Sequence, residues 1–268
     1  MVRNLKPLYW FSLLIAALMA GCSLAGLRFP DTFYPTSELR HSYLANDVFT
    51  LVLGLPILLI SMWLAWRGKP IKIGLMGLLF WPGALLYGIY NYLAYLFGMP
   101  FQGLFFLYLL IVILSTYTLI ALVSNIDGKD VKEQLDGRVP ERFGSGVLIF
   151  LGSTFILLAS AVLISNLSGQ ATLPQSELAV FVADFFIAPA WVIGGVLLWR
   201  RQPLGYVAST GLLFNASMLF IGVIGIVLLQ AIVESQLFPF FDVFILLIMG
   251  LICFIPFGLF VRGILRKQ

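Results

Sequence analysis

The sequence predicts an all-α integral membrane protein, a bundle of about eight transmembrane helices, and three observations support this prediction. Hydrophobic residues make up 61% of the 268 residues and charged residues only 10%, against roughly 25% charged in a soluble domain. Apolar runs of about 20 residues, long enough to cross a ~30 Å hydrocarbon core as a helix, cover most of the chain. Basic residues cluster in alternate connections between these runs.

The apolar runs divide the chain into eight candidate spans, with boundaries uncertain by several residues. Because they fill most of the sequence, we expect a single polytopic transmembrane domain over residues 1–268, with no separate soluble domain. The predicted spans are 8–27, 47–66, 73–97, 103–124, 146–167, 179–199, 205–232 and 240–261.

The distribution of charge predicts the orientation. One set of span ends holds 14 of the 16 Lys and Arg residues, whereas the other set has only Arg28 and Arg40 with seven of the 12 acidic residues. Connections rich in Lys and Arg remain in the cytoplasm, so we expect a plasma-membrane protein of prokaryotic type with both termini cytoplasmic. The connections contain no basic stripe interleaved with aromatic residues, so we expect no nucleic-acid partner. The 14 residues are Arg3, Lys6, Arg67, Lys69, Lys72, Lys129, Lys132, Arg138, Arg142, Arg200, Arg201, Arg262, Arg266 and Lys267.

The first span has an alternative interpretation as a bacterial lipoprotein signal. Arg3 and Lys6 precede an apolar stretch that ends at Gly21-Cys22, and cleavage with lipidation at Cys22 would leave seven spans. However, Met19 stands where such signals usually carry Leu, and apolar residues continue past Cys22. We therefore expect an uncleaved first helix.

Two stretches of the chain have similar sequences, with one extra residue in the second copy. Each copy joins the second and third spans of a four-span half, which predicts a 4+4 parallel repeat about an axis along the membrane normal, an architecture found in transporters. An aromatic belt beside a positive loop would also place Trp before Arg. The matched residues are Trp66-Arg67, Pro70 and Gly77-Leu78-Leu79-Phe80 with Trp199-Arg200, Pro203 and Gly211-Leu212-Leu213-Phe214.

Three spans carry an aspartate toward the ends that have few basic residues: Asp47, Asp184 and Asp242. An N-cap aspartate accepts backbone N–H bonds and offsets the positive end of the helix dipole. We expect this role for Asp47 and Asp242, because each is followed by about 20 residues before the basic end, the length of a full span.

Asp184 is less easily explained as a cap, since only 16 residues run from it to Trp199, about 24 Å of helix. It either caps a short or broken helix near Pro189, or lies inside a longer helix that begins near Leu178. A carboxylate inside the membrane is costly unless it is paired, hydrated or protonated, and such residues are functional candidates.

Polar residues of the third span occur at the same level. Tyr87, Asn91 and Tyr95 share one face at four-residue spacing, and an amide in hydrocarbon needs a partner. We hypothesise an outward-facing ligand cavity lined by Asp184, Asn91, Tyr87 and Tyr95, with Asn215 of the seventh span as its floor. An aromatic belt for the tyrosines and an interhelical hydrogen bond for Asn215 are the alternatives.

The connection between the first two spans contains Asp31, Glu38, Arg40 and His41, the only histidine. This combination suggests a lipid-modifying enzyme as one alternative function. One histidine cannot build a multi-His metal site, and the chain has no nucleophile-elbow serine or Gly-rich phosphate loop. We therefore expect no metal, no cofactor and no catalytic residues.

The connection at 125–145 places Val131, Leu135 and Val139 at four-residue spacing among charged residues. This pattern predicts a short amphipathic helix that either lies on lipid headgroups or docks a cytoplasmic partner. A non-catalytic accessory or sensor subunit is therefore another alternative function. Our first hypothesis remains the binding or translocation of a small or lipidic ligand through the outward-facing cavity.

Overall fold

The computed structural model describes residues 5–68, 71–101, 103–170, 172–233 and 238–266. Over these ranges the chain is helical and contains no β-strand. Four residues used in the sequence predictions, Arg3, Lys69, Pro70 and Lys267, lie outside the described residues.

Eight helices of the described chain are long and apolar enough to cross a membrane, which confirms the predicted all-α multi-pass bundle. One of the eight is composite, because α3, a π-helical turn and α4 continue into each other over Ser37–Arg67. The elements are α1 (Lys6–Arg28), α2 (Pro30–Phe33), α3 (Ser37–Phe49), the π turn (Thr50–Gly54), α4 (Leu55–Arg67), α5 (Ile71–Gly98), α6 (Phe105–Asn125), α7 (Gly128–Leu135), α8 (Glu141–Leu167), α9 (Gln175–Trp199), α10 (Pro203–Val233) and α11 (Phe240–Leu265).

The long helices alternate in direction, so their ends gather at two opposite ends of the bundle. At one end the Lys72 ammonium donates a hydrogen bond to the carbonyl of Arg266. At the other end Ser176 Oγ donates to Glu38 Oε1 over 2.5 Å. We call the first the basic end and the second the acidic end, after the charges that the sequence places there.

The centre of the bundle is formed by α5 and α10, which cross closely. The rings of Phe80 and Phe214 stack at 4.7 Å with an interplanar angle of 8°. Glycine permits the approach, because a Cβ added to Gly211 would lie 2.9 Å from the carbonyl oxygen of Leu79 and 3.2 Å from the nitrogen of Gly83. Small residues at helix crossings are the usual way that membrane helices reach such contact.

The Phe80–Phe214 stack joins two residues that correspond in the predicted repeat. A two-fold axis parallel to α5 and α10 would bring equivalent residues of the two helices together in this way. Two further pairs of identical residues are separated by nearly the same number of positions as Phe80 and Phe214. They are Pro56 with Pro189 and Phe105 with Phe240. These observations support the 4+4 arrangement, which stays a prediction.

The second span begins at Ser37 instead of near residue 47, and this corrects the role predicted for Asp47. Thr36 is the N-cap, and its Oγ1 accepts a hydrogen bond from the Leu39 nitrogen over 3.2 Å. Asp47 therefore lies inside the helix and is not an N-cap. Asp242 is not an N-cap either, because Pro239 holds that position and no described side chain caps α11. Asp242 stands in the first turn of α11, where it can offset the helix dipole.

The amphipathic helix predicted in the 125–145 connection is α7, but its apolar stripe faces inward. Val131, Leu135 and Val139 are all buried, because α7 packs against α10. The stripe is therefore part of the core, and it is not available to lipid headgroups or to a docking partner.

A polar network at the basic end ties the segment between α7 and α8 to the turn between α9 and α10. The Tyr206 hydroxyl lies 2.7 Å from Glu141 Oε1 and 3.1 Å from Asp136 Oδ1. Arg201 Nη2 lies 3.0 Å from Glu141 Oε2. Arg201 has a positive φ of 52°, the left-handed conformation common at the end of a helix. The Arg201 and Gln202 nitrogens donate to the carbonyls of Leu198 and Leu197 there.

The network predicts an acid-dependent loss of stability through Asp136. The hydrogen bond from Tyr206, followed by those with Glu141 and the charge of Arg201, lowers the pKa of Asp136 in the folded protein. Its carboxylate therefore favours folding above the unfolded-state pKa of about 3.9, and this contribution is lost as pH falls through the lower folded-state value. We expect D136N to melt below the wild type near neutral pH, with the difference shrinking below about pH 4.

Thermal unfolding of the purified chain in one detergent at several pH values would measure this effect. E133Q removes the same charge from an exposed position on α7 and is the control. A D136N difference that stays constant over the acidic range would contradict the prediction.

Candidate functional site

A pocket of about 300 Å³ lies at the acidic end, between α3, α5, α9 and α10. We call it the acidic-end pocket. Tyr87, Tyr90 and Asn91 of α5 line it, and most of its remaining wall is apolar. Its other polar lining residues are Ser42, Tyr43, Asn46, Ser176, Glu177 and Gln230.

Two glycines make room for the Tyr87 ring. A Cβ added to Gly222 of α10 would lie 3.1 Å from the Tyr87 hydroxyl, and one added to Gly54 of the π turn would lie 3.1 Å from Tyr87 Cε1. Because either side chain would crowd the ring, these glycines let Tyr87 stand against the pocket wall. The π turn thus contributes to the site, as π turns within helices often do.

Asn91 brings an unused hydrogen-bond donor to the pocket. The residue is 6% exposed. Its side chain interacts with the Tyr87 hydroxyl, but its Nδ2 atom makes no full hydrogen bond among the described residues. A buried amide without a partner costs about 1–3 kcal/mol, so a water or a ligand acceptor in the pocket would be stabilising.

Asp184 lies inside α9, which decides between its two predicted positions. The helix begins at Gln175 and continues through Pro189, so Asp184 is roughly 13 Å from its start at 1.5 Å per residue. The residue is 7% exposed. Its carboxylate interacts with the Tyr90 hydroxyl, and through Tyr90 it reaches the pocket without lining it.

Tyr95 belongs to a different site, around Asp47. The Tyr95 hydroxyl donates to Asp47 Oδ1 over 2.8 Å, and the Tyr34 hydroxyl donates to Oδ2 over 2.5 Å. Asp47 is 2% exposed, and in the described part of the chain no basic side chain pairs with it. Burial raises the pKa of the Tyr34 hydroxyl far above its ordinary value, so this hydroxyl stays a donor.

Five tyrosines surround this carboxylate, with neighbouring rings 4.7 to 6.0 Å apart. Two of their hydroxyls also donate to backbone carbonyls: Tyr43 to Ala94 and Tyr92 to Met19. The shell therefore connects α1, α3, α5 and α6. We call Asp47 with Tyr34, Tyr43, Tyr92, Tyr95 and Tyr108 the tyrosine cluster.

Asn215 makes the interhelical hydrogen bond that was one of its two predicted roles. It is fully buried, and its Oδ1 accepts from Trp191 Nε1 over 3.1 Å. Leu219, one helical turn nearer the acidic end, lines the pocket, so Asn215 lies one turn below it. The structure thus brings Tyr87 and Asn91 together and separates Tyr95 and Asn215 from them.

Charged residues of the first connection make side-chain contacts between helices. Arg40 pairs with Asp31 over 2.9 Å, and Glu38 holds Ser176 at the start of α9. Among the described residues, no group of three or more His, Cys, Asp and Glu side chains could hold a metal ion. These contacts are structural ones.

Sequence reasoning missed Tyr34 and Tyr90 as partners of the buried carboxylates, and it missed Tyr43 as a member of the tyrosine cluster. Tyr90 stands one residue from the face that carries Tyr87 and Asn91. Tyr34 and Tyr43 lie in the segment predicted to be a loop. A signal for α3 was present, because Thr36 followed by a stretch without Gly or Pro is typical of a helix start.

The fold and the acidic-end pocket together define the class of protein: a multi-pass helical membrane protein with a ligand-sized cavity at one end of its bundle. The chain matches no protein family model, no curated protein and no solved structure.

The tyrosine cluster predicts different effects for two glycines of α1. A Cβ on Gly26 would overlap Asp47 Oδ2 and the Tyr34 hydroxyl, whereas a Cβ on Gly21 would meet nothing within 4 Å. We expect G26A to destabilise the protein by about 1–3 kcal/mol, the usual cost of overpacking, and G21A to be neutral or slightly stabilising. Unfolding of both variants in the same detergent measures this, and equal stability would contradict the geometry.

Proposed function

We propose that this protein binds a small amphipathic amine in the acidic-end pocket, as the first step of its translocation across the membrane. One observation carries the proposal. The pocket combines the Asn91 amide, whose Nδ2 lacks a hydrogen bond, with a Tyr90–Asp184 pair, and no Lys, Arg or His of the described chain lines it.

The Tyr90–Asp184 pair favours a ligand that donates hydrogen bonds. When the Tyr90 hydroxyl donates to the Asp184 carboxylate, its oxygen keeps lone pairs that can accept from an ammonium group. The negative charge behind it strengthens this acceptor, because hydrogen bonds in a chain polarise one another in a medium of low dielectric constant. Glu177 at the pocket adds a second negative charge.

The rest of the pocket suits the other parts of such a ligand. Tyr87 lines the pocket, and a tyrosine ring attracts cations. Val180, Leu219 and Val223 supply apolar walls for a hydrocarbon body. The Asn91 N–H group can donate to a hydroxyl or carbonyl oxygen on the ligand. A volume near 300 Å³ lies at the small end of the range for ligand sites.

Translocation is favoured over binding alone by the arrangement of the central helices. The stack of Phe80 on Phe214 is consistent with two four-span halves related by an axis along the membrane normal, an arrangement found in transporters. Movement of one half against the other would open the pocket to the opposite side.

We further infer that the protein resides in the plasma membrane, with the acidic end outside and both termini in the cytoplasm. The support is the gathering of 14 of 16 Lys and Arg residues at the basic end, since Lys and Arg near span ends favour the cytoplasmic side.

Cysteine labelling tests the ligand class. In a C22A/C253A background, we expect V223C to react with a membrane-impermeant maleimide, because Val223 lines the pocket. Phenethylamine should slow this reaction severalfold, whereas phenylacetate, which carries the opposite charge, should not. I232C, exposed at the end of α10 and outside the pocket lining, is the control that reacts regardless of the amine.

Two further variants assign the effect to Asp184. D184N should weaken protection by phenethylamine about tenfold, the loss of roughly 1.4 kcal/mol of charge-assisted hydrogen bonding. D242N makes the same change in the first turn of α11 and should leave protection unchanged. The proposal fails if V223C does not react, or if phenylacetate protects as well as the amine.

The orientation is tested by two exposed positions at opposite ends. Ser168 follows α8 at the acidic end, and Gln202 lies in the turn between α9 and α10 at the basic end. We expect S168C to react with the impermeant maleimide in intact cells and Q202C to react only after permeabilisation. The reverse pattern would show the acidic end to be cytoplasmic.

A further inference from the structure

A second pocket, of about 790 Å³, lies at the basic end between the α7–α8 segment and the last two turns of α11. Arg138 lines it from the α7–α8 segment, while Arg262 and Arg266 line it from α11. The remaining lining is small or apolar and includes Gly258, Leu259 and Leu265. We call it the arginine pocket.

The three guanidinium groups of this pocket carry uncompensated charge. In the described part of the chain, none of them pairs with a carboxylate within 4 Å. The two carboxylates nearest to Arg138 in sequence are engaged elsewhere, because Glu141 pairs with Arg201 and both Asp136 and Glu141 contact Tyr206. The pocket therefore presents positive charge that no carboxylate of the described residues neutralises.

The position of the arginines along α11 corresponds to the depth of lipid headgroups. Arg262 lies 22 residues beyond Phe240, the start of α11, which is roughly 33 Å at 1.5 Å per residue. The hydrocarbon core is about 30 Å thick. With the hydrocarbon beginning near Phe240, Arg262 and Arg266 would lie just outside it, and Gly258, one turn earlier, would lie within its edge.

Two glycines of α11 shape the pocket in different ways. A Cβ on Gly263 would lie 2.7 Å from the carbonyl oxygen of Arg138 and 2.7 Å from Val139 Cγ1, so this glycine brings α11 against the α7–α8 segment. Gly258 faces open space and leaves a groove beside the exposed side chain of Leu259. The charged part of the pocket is thus continuous with an apolar part at Gly258 and Leu259, one turn earlier on α11.

We propose that the arginine pocket binds one anionic phospholipid. The guanidinium groups hold the phosphate, for which their planar donor geometry is well suited, and one acyl chain follows the groove at Gly258. Basic pockets at the ends of membrane helices are known to bind anionic headgroups. A free phosphate ion would satisfy the arginines but would leave the apolar groove unused, so the complete pocket fits the lipid.

This site is independent of the proposed amine pocket, which lies at the opposite end of the bundle. A bound lipid would connect α11 to the α7–α8 segment across the arginine pocket. Because a ligand that binds only the folded protein stabilises it by mass action, lipid binding should raise the unfolding temperature.

The test uses the purified full chain in a neutral detergent. Phosphatidylglycerol should raise the unfolding temperature and remain bound in native mass spectra, whereas phosphatidylcholine with the same acyl chains should do neither. We expect R138Q/R262Q/R266Q to abolish both effects. K129Q/R142Q/R200Q removes the same charge from exposed basic-end residues outside the pocket lining and should respond like the wild type.

The single variant R262Q keeps the test decisive if the triple variant does not fold. It should bind phosphatidylglycerol about fivefold more weakly, the factor expected for one basic side chain near a lipid surface. Equal stabilisation by both lipids, or an unchanged response of R262Q, would overturn the proposal. An equal effect of millimolar inorganic phosphate would show an anion site that does not use the groove, and would also overturn it.

Discussion

The buried carboxylate of Asp47 is the constraint on which the acidic end of the bundle depends. A carboxylate in the membrane without a basic partner requires strong hydrogen-bond donors, and Tyr34 and Tyr95 provide them from separate segments. Satisfying this one group therefore fixes the rotation of α3 and its distance from α1 and α5. The neighbours of Asp47 on α3, Tyr43 and Asn46, are thereby directed toward the acidic-end pocket, so the pocket wall follows from the tyrosine cluster.

The basic end is held together by different chemistry. There the network of Glu141, Tyr206 and Arg201 joins two connections through charge-assisted contacts. Its carboxylates are used within the fold, and among the described residues no carboxylate pairs with the arginines of α11. The acidic-end pocket has the opposite balance, since no basic side chain lines it. Each end therefore offers a cavity whose charge is not neutralised by the fold, and each cavity favours a ligand of opposite sign.

The eight spans were predictable because the thickness of the bilayer sets the length and hydropathy of each span, and both are local properties of the sequence. The start of α3 was missed, although Thr36 was a signal for it, because hydropathy alone does not register a polar first turn that tertiary contacts such as those of Tyr43 and Glu38 stabilise. The apolar stripe of α7 was predicted. A periodic pattern does not show, however, whether the stripe faces the protein core, the lipid headgroups or a partner. Tyr95 illustrates a further limit. Each four-residue step rotates a helical side chain by about 40°, so Tyr95 lies roughly 80° from Tyr87 and contacts the tyrosine cluster instead.

The contrast between Asp47 and Asp184 explains why we assign function to only one of these two carboxylates, which are both buried within spans. Two phenols donate to Asp47 in a tightly packed site, where even a methyl group on Gly26 would collide. Such a group has its hydrogen bonds satisfied internally and has no space for a ligand. Asp184 interacts with a single phenol, that of Tyr90, and this phenol also lines a cavity beside an unpaired amide. A carboxylate whose stabilisation is incomplete within the protein, and whose one partner faces a cavity, is the group that a bound cation would stabilise most.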